Sequence, residues 1–322
     1  DYDRDGDLDL FIGNESGRQE VHPCELFENQ GDGTFVEVAE KVGLQHAAYV
    51  KGVAWGDIDN DGDLDLYLST MGSSNVLYEN LGPASEEGRP RFRDITARAT
   101  VGAPLLSFPT WFWDYDQDGR LDILAGSYGS FEESMLEGVA ADYLGLPTAD
   151  EGIRLYRNRG EGRFEEVSEK TEIRRTVLPM GANFGDLDGD GWLDAYFGTG
   201  QPDLATLVPN RMFRNVQGQR FEDVTSSGGF GHLQKGHGIA FGDIDHDGDQ
   251  DIFANNYHLN PNLFYRNEGG GELPVPRARR PQSRKTKRGI TTRVLVRMDP
   301  SPVQCCKAPG RPAEPPERGD PD

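Results

Sequence analysis

Cysteine is nearly missing from this chain: three in 322 residues, Cys24, Cys305 and Cys306. Three thiols build no disulfide framework, and their spacing is no zinc pattern. Long apolar runs are missing too. A spanning helix needs about 18 consecutive apolar residues or more, and no such run occurs. Positive charge is scarce, with 33 Lys and Arg against 55 Asp and Glu and a net charge of −22. That balance argues against nucleic acid and anionic membrane as partners and favours cations, while the lack of a long apolar run argues against membrane insertion. Hydrophobic residues reach only 35%. Spread evenly, so little apolar matter and so much charge would leave a chain unfolded. Catalytic signatures are absent as well, with no G-x-S-x-G, no phosphate-binding glycine loop and no histidine-based metal motif. No signal peptide is visible, and Asp1 already stands inside a motif, so the true start is expected upstream.

What is present is repetition. DYDRDGDLD starts at Asp1, DIDNDGDLD at Asp57, DYDQDGRLD at Asp114, DLDGDGWLD at Asp186 and DIDHDGDQD at Asp243. Each copy carries Asp at positions 1, 3, 5 and 9 and Gly at position 6. The flanks repeat with the loops. An aromatic residue stands two before the loop in four copies (Trp55, Phe112, Phe184, Phe241). Gly56, Gly185 and Gly242 follow it, with Trp113 in the third copy. Downstream comes an aromatic-x-Asn element ending at Asn29, Asn80, Asn158, Asn215 and Asn267. In the first four copies a strand-like piece then begins at Phe35, Phe92, Phe164 and Phe221.

The second repeat shows what this spells. GVAWGD, DLYLST, NVLYEN and RFRDIT are four short runs rich in aromatic and β-branched residues, separated by Gly, Asn and Pro, with no helical period. Four strands recurring at fixed spacing predict an all-β fold, a β-propeller of four-stranded blades. The third repeat is longer, and the extra residues around 130–147 hold Met135, Leu136, Val139, Ala140, Tyr143 and Leu144. They fit a short amphipathic helix on the surface of one blade. Residues 1–270 are therefore read as calcium-loop repeats. Residues 271–322 form a second region, where 12 Lys and Arg meet 6 Asp and Glu among many prolines. This basic tail reads as disordered, with GITTRVLVRM from Gly289 its one strand-like piece.

The loops predict calcium. Four carboxylates in nine residues repel one another unless a hard cation joins them, and calcium takes oxygen ligands at about 2.3–2.6 Å. The candidate ligands are Asp1, Asp3, Asp5 and Asp9; Asp57, Asp59, Asp61 and Asp65; Asp114, Asp116, Asp118 and Asp122; Asp186, Asp188, Asp190 and Asp194; and Asp243, Asp245, Asp247 and Asp251. Gly at position 6 permits the sharp turn. An EF-hand would need Glu at position 12, where Ile12, Leu68, Ala125, Phe197 and Ala254 stand instead. Magnesium prefers to keep its waters, and zinc would want His or Cys. Acid-rich turns that merely join strands are the plain alternative for one copy. Five copies in one register leave it little room. One ion per loop would bring the charge from −22 to −12.

These residues resemble the FG-GAP/VCBS repeat family, and within it the cartilage acidic protein family whose members carry an ASPIC/UnbV domain. LFENQGDGTFVEVAEKVGL from Leu26, RLYRNRGEGRFEEVSEK from Arg154 and NFGDLDGDGWLDAYFGTG from Asn183 carry the likeness. The aromatic-Gly pair before each loop is shared with integrin α-chain propellers. The resemblance implies an extracellular, calcium-bound propeller of about seven blades. Five loops then mean a ring incomplete at both ends, and the tail a degenerate ASPIC/UnbV remnant. It also implies adhesion, with a protein or glycan ligand and no catalysis. The runner-up is the propeller of a polysaccharide-active enzyme. His232 and His237 in GHLQKGHG are the best candidates for chemistry, although a Gly-rich turn more often holds histidines for structure. Aromatic residues near Tyr128 and Tyr257 are candidates to meet a ligand.

Overall fold

The structure, a computed structural model, describes residues 1–17, 20–83, 88–130, 134–200, 208–233, 235–256 and 262–269. The expectations for the tail, Tyr257, Cys305 and Cys306 lie outside these residues. Blade 1 contains β1 (Leu10–Ile12), β2 (Glu25–Asn29) and β3 (Phe35–Glu37), then the one-turn helix α1 (Ala39–Val42). Blade 2 contains β4 (Val50–Gly56), β5 (Asp65–Thr70), β6 (Val76–Pro83) and β7 (Pro90–Asp94), then α2 (Thr96–Ala99). Blade 3 has β8 (Ser107–Trp113), β9 (Asp122–Ser127), α3 (Met135–Leu144), β10 (Arg154–Asn158) and β11 (Phe164–Glu166). Blade 4 has β12 (Pro179–Gly185), β13 (Asp194–Thr199), β14 (Arg211–Val216) and β15 (Arg220–Asp223). Blade 5 has β16 (Gly236–Gly242), β17 (Asp251–Asn256) and β18 (Leu263–Tyr265).

Each blade is an antiparallel meander in chain order, and the middle three have four strands. The four runs predicted for the second repeat are β4 to β7. Each acidic loop in blades 2 to 5 joins the first strand of its sheet to the second, and the first loop leads into β1. Among the described residues no hydrogen-bonded sheet joins blade 5 to blade 1.

The core lies between blades. All six residues of β5 are buried, which a one-sided sheet would not allow. Because side chains alternate, the strand serves two cores. Leu66 and Leu68 pack with Tyr2, Leu26, Leu44 and Phe92 toward blade 1. Tyr67 packs with Phe112, Ile123, Tyr156 and Phe164 toward blade 3. The aromatic residue before each loop seals the same seams. Trp55 meets Phe11 of blade 1 edge-on at 5.8 Å, and Phe184 meets Trp111 and Trp113 of blade 3 at 5.6 Å. Glycine lets inner strands of neighbouring blades approach: a Cβ on Gly181 would lie 1.8 Å from the His237 carbonyl oxygen.

Two local features differ from the sequence reading. The short helices α1 and α2 follow the Phe-led outer strands and end at the left-handed Gly43 (φ 91) and Thr100 (φ 58). Single turns are too short to show a helical period. The predicted insertion helix is α3, opened by a capping box from Ser134 to Glu137. Its apolar face is narrower than expected. Val139 and Met135 pack on Leu178 and Val208, while Leu136, Ala140, Tyr143 and Leu144 are exposed.

Candidate metal centre

The five acidic loops share one hydrogen-bond plan. In loops 2 to 5 the position-1 carboxylate (Asp57, Asp114, Asp186, Asp243) accepts from the backbone N–H of positions 5 and 6, at 2.9–3.2 Å. The position-5 carboxylate accepts from the N–H of position 7 in all five. The turn requires left-handed backbone twice. Glycine meets this at position 6, with φ between 84° and 98°. Position 4 also has positive φ, at Arg4, Asn60, Gln117, Gly189 and His246. That second demand was invisible in the sequence, since position 4 varies freely.

Position 9 is a clamp. Its two oxygens accept from two backbone amides, the N–H of position 2 in its own loop and the N–H of the recurrent Asn. For Asp65 these donors are Ile58 and Asn80, both at 2.8 Å. Asp9, Asp122, Asp194 and Asp251 repeat the pair with Tyr2 and Asn29, Tyr115 and Asn158, Leu187 and Asn215, and Ile244 and Asn267. Burial pushes the carboxyl of Asp65 up to about 7, and those of Asp122 and Asp194 up to about 8, against the pull of the donated hydrogen bonds.

The Asn side chain ties neighbouring loops together. Asn158 Nδ2 donates to Ile58 O in loop 2 at 2.7 Å and to Leu121 O in loop 3 at 3.0 Å. Asn80 links Tyr2 O to Leu64 O, and Asn267 links Leu187 O to Gln250 O, while Asn215 reaches back to Tyr115 O. The sequence marked this Asn as recurrent without giving it a role. Its identity in all five repeats was the available signal.

Carboxylates converge in every loop. One oxygen from each of Asp1, Asp3 and Asp5 lies within 4.8 Å of the others; so do Asp57, Asp59 and Asp61, and Asp243, Asp245 and Asp247. In loops 3 and 4 the sets are Asp114, Asp116 and Asp122, and Asp186, Asp188 and Asp194. There the position-5 residues Asp118 and Asp190 stand outside the set. In loops 1, 2 and 5 it is the position-9 residues Asp9, Asp65 and Asp251 that do. The residues fit a hard cation. Asp116 Oδ1 is buried with no hydrogen-bond partner, on a side chain only 10% exposed. Burial, then neighbouring carboxylates, raise Asp3 and Asp59 above the ordinary carboxylate range. Clustered oxygens of one sign with an orphaned buried acceptor suit a divalent ion bound by oxygen.

The FG-GAP-like repeat family matches residues 1–68, 114–197 and 196–254, which takes in all five loops. The chain belongs to this family. The stretch between the first two matches carries β6 and β7, which pair in the same order as the other FG-GAP blades. Human cartilage acidic protein 1 is 30% identical over 217 residues, 65% of this chain and 28% of that protein. The mouse protein is 29% identical over 65% of this chain and 29% of its own length, and the Xenopus tropicalis protein 28% identical over the same shares. The chain thus spans under a third of the curated relatives it matches. A rhamnogalacturonan lyase from Bacillus licheniformis aligns over 66% of this chain and 42% of its own at 13% identity, with a TM-score of 0.36. A score that low does not establish a shared fold.

Other candidates fall elsewhere in the FG-GAP array. His232 and His237 are half-buried and join none of the acidic clusters, and burial lowers the pKa of both. Tyr128, expected among exposed aromatics, is buried with its ring 5.5 Å from that of Phe108. Cys24 is a buried free thiol. No described helix is long and apolar enough to cross a membrane.

Proposed function

We propose that this chain is a calcium-stabilised extracellular recognition module, with one ion held in each of its five loops and no catalytic role. The observation that carries the reading is the convergence of three aspartate oxygens in every loop, positions 1 and 3 joined by position 5 or position 9, with Asp116 Oδ1 buried and unpartnered in loop 3. In each loop the aspartates at positions 1, 3, 5 and 9 would hold the ion, which supplies positive charge to carboxylates that otherwise repel one another. The position-9 clamp ties each loop to the strand that carries the Asn, so ion binding stabilises the blades. Extracellular placement and a protein or glycan partner rest on the likeness to cartilage acidic proteins.

The test is thermal unfolding of the chain during calcium titration, with magnesium and chelator as controls. We expect a calcium-specific rise in melting temperature at about 10⁻⁴–10⁻³ M, as in extracellular modules. Calorimetry should then count close to five ions, one for each loop. Asp188→Asn should blunt the rise, and Glu165→Gln, on an exposed pair with Arg159, should not. No response to calcium would mean that the loops are turns alone.

A further inference from the structure

The residue between the aromatic and the recurrent Asn is not constant from blade to blade. It is Glu28 in blade 1 and Glu79 in blade 2, then Arg157, Arg214 and Arg266 in blades 3 to 5. Register points this side chain at the adjacent loop. Arg157 Nε lies 2.6 Å from Asp116 Oδ2, and its Nη2 3.1 Å from Asp118 Oδ2. Arg214 Nε lies 2.7 Å from Asp188 Oδ2, and its Nη2 3.4 Å from Asp190 Oδ2. Arg266 Nη2 lies 2.6 Å from Asp245 Oδ2 and 4.0 Å from Asp247 Oδ2. In all three blades one guanidinium reaches the aspartates of positions 3 and 5.

Blades 1 and 2 reverse the charge. Glu28 is held by Arg89, and Glu79 by Arg93 and Arg98. Among the described residues no arginine pairs with Asp3, Asp5, Asp59 or Asp61. The nearest pairing, Arg4 to Asp63 at 2.9 Å, falls on position 7. Position 7 does not sort the loops in the same way: it is Asp in loops 1, 2 and 5 (Asp7, Asp63, Asp249), and Arg120 and Trp192 in loops 3 and 4.

We infer that the five loops form two classes: loops 1 and 2 depend on calcium and bind it tightly, while loops 3 to 5 carry a built-in guanidinium that stands in for the ion and weakens its binding. The inference rests on the calcium reading above and deepens it. An ion entering loop 3, 4 or 5 must share two carboxylates with the guanidinium or displace it. Either way it meets a guanidinium held on the position-3 and position-5 carboxylates, a contact that loops 1 and 2 lack among the described residues. A unit charge a few ångströms away, only partly screened, changes affinity by about tenfold or more. Arg157, Arg214 and Arg266 are thus affinity-setting residues rather than ligands.

The test is calorimetric calcium titration of the full chain beside Arg157→Met, Arg214→Met and Glu79→Arg. The wild type should take up two ions at least tenfold more tightly than the other three. Each Arg→Met change should move one ion from the weak class to the tight class, and Glu79→Arg should move one the opposite way. Hydrogen exchange of the wild type needs no variant. With chelator, Gly6 and Gly62 amides should exchange fast and slow more than tenfold at low calcium. Gly119, Gly191 and Gly248 amides should change much less. Five equivalent sites that ignore these substitutions would overturn the two-class inference and leave calcium binding intact. Absence of any calcium uptake would overturn both.

Discussion

At the scale of single residues, the polar group with the most structural consequence is the recurrent Asn. Asn158 is buried, and its amide spans two loops while its backbone N–H satisfies Asp122. Replacing it with Ala strands one buried and one half-buried carbonyl, at about 1–3 kcal/mol for each group left unsatisfied in a buried place. We therefore expect Asn158→Ala to lower stability by about 2–4 kcal/mol in urea unfolding. His46 supplies a pH dependence. Burial lowers its pKa below the ordinary value of 6.5, its Nε2 is buried without a partner, and its Nδ1 lies 3.2 Å from Tyr78 Oη. The folded state thus prefers the neutral ring. Stability from this site is present above about pH 6.5 and is lost as pH falls below it. His46→Phe should flatten that part of the pH–stability curve, read by denaturant midpoints between pH 7 and 5. The sequence could not reveal either residue's task, because both depend on what a neighbouring strand brings near. The aspartates were legible because their spacing is local. The arginine that faces them was not, since it sits about 19–41 positions away in sequence.

At the scale of elements, strands were legible where an aromatic and β-branched run ended in Gly or Asn, as in NVLYEN, now in β6. The one-turn helices α1 and α2 were not, because four residues carry no period. The insertion helix α3 was found, but what fastens it was not legible. Besides Met135 and Val139 it is held by charge: Asp142 lies 2.9 Å from Arg211, whose side chain is 2% exposed and also pairs with Asp223. Arg211 lies 4.0 Å from the centre of the Tyr143 ring, so the exposed tyrosine covers a cation rather than filling a core. Removing one partner from a buried ion pair costs about 3–5 kcal/mol when nothing else compensates. Asp223 remains here, so Asp142→Ala should cost less, about 1–3 kcal/mol. Limited proteolysis should then cut within residues 134–146 several-fold faster while the blades stay intact.

At the scale of the whole molecule, the net charge of −22 is organised rather than diffuse, since the loops gather a large share of it at one end of each sheet. This is why a low apolar content did not mean disorder. The apolar residues are spent at the seams between blades, where one strand serves two cores. The repeat architecture was legible from the period alone, whereas the interlocking of loops was not. That interlocking has a direction. From blade 2 onward each Asn reaches back to the loop of the blade before it, so the carbonyl of Tyr2, Ile58, Tyr115 or Leu187 gains its amide only from the next blade along the chain. A chain emerging residue by residue from the ribosome therefore completes each loop one blade late. The newest blade is always the unfinished one, and every blade behind it has already been locked by its successor.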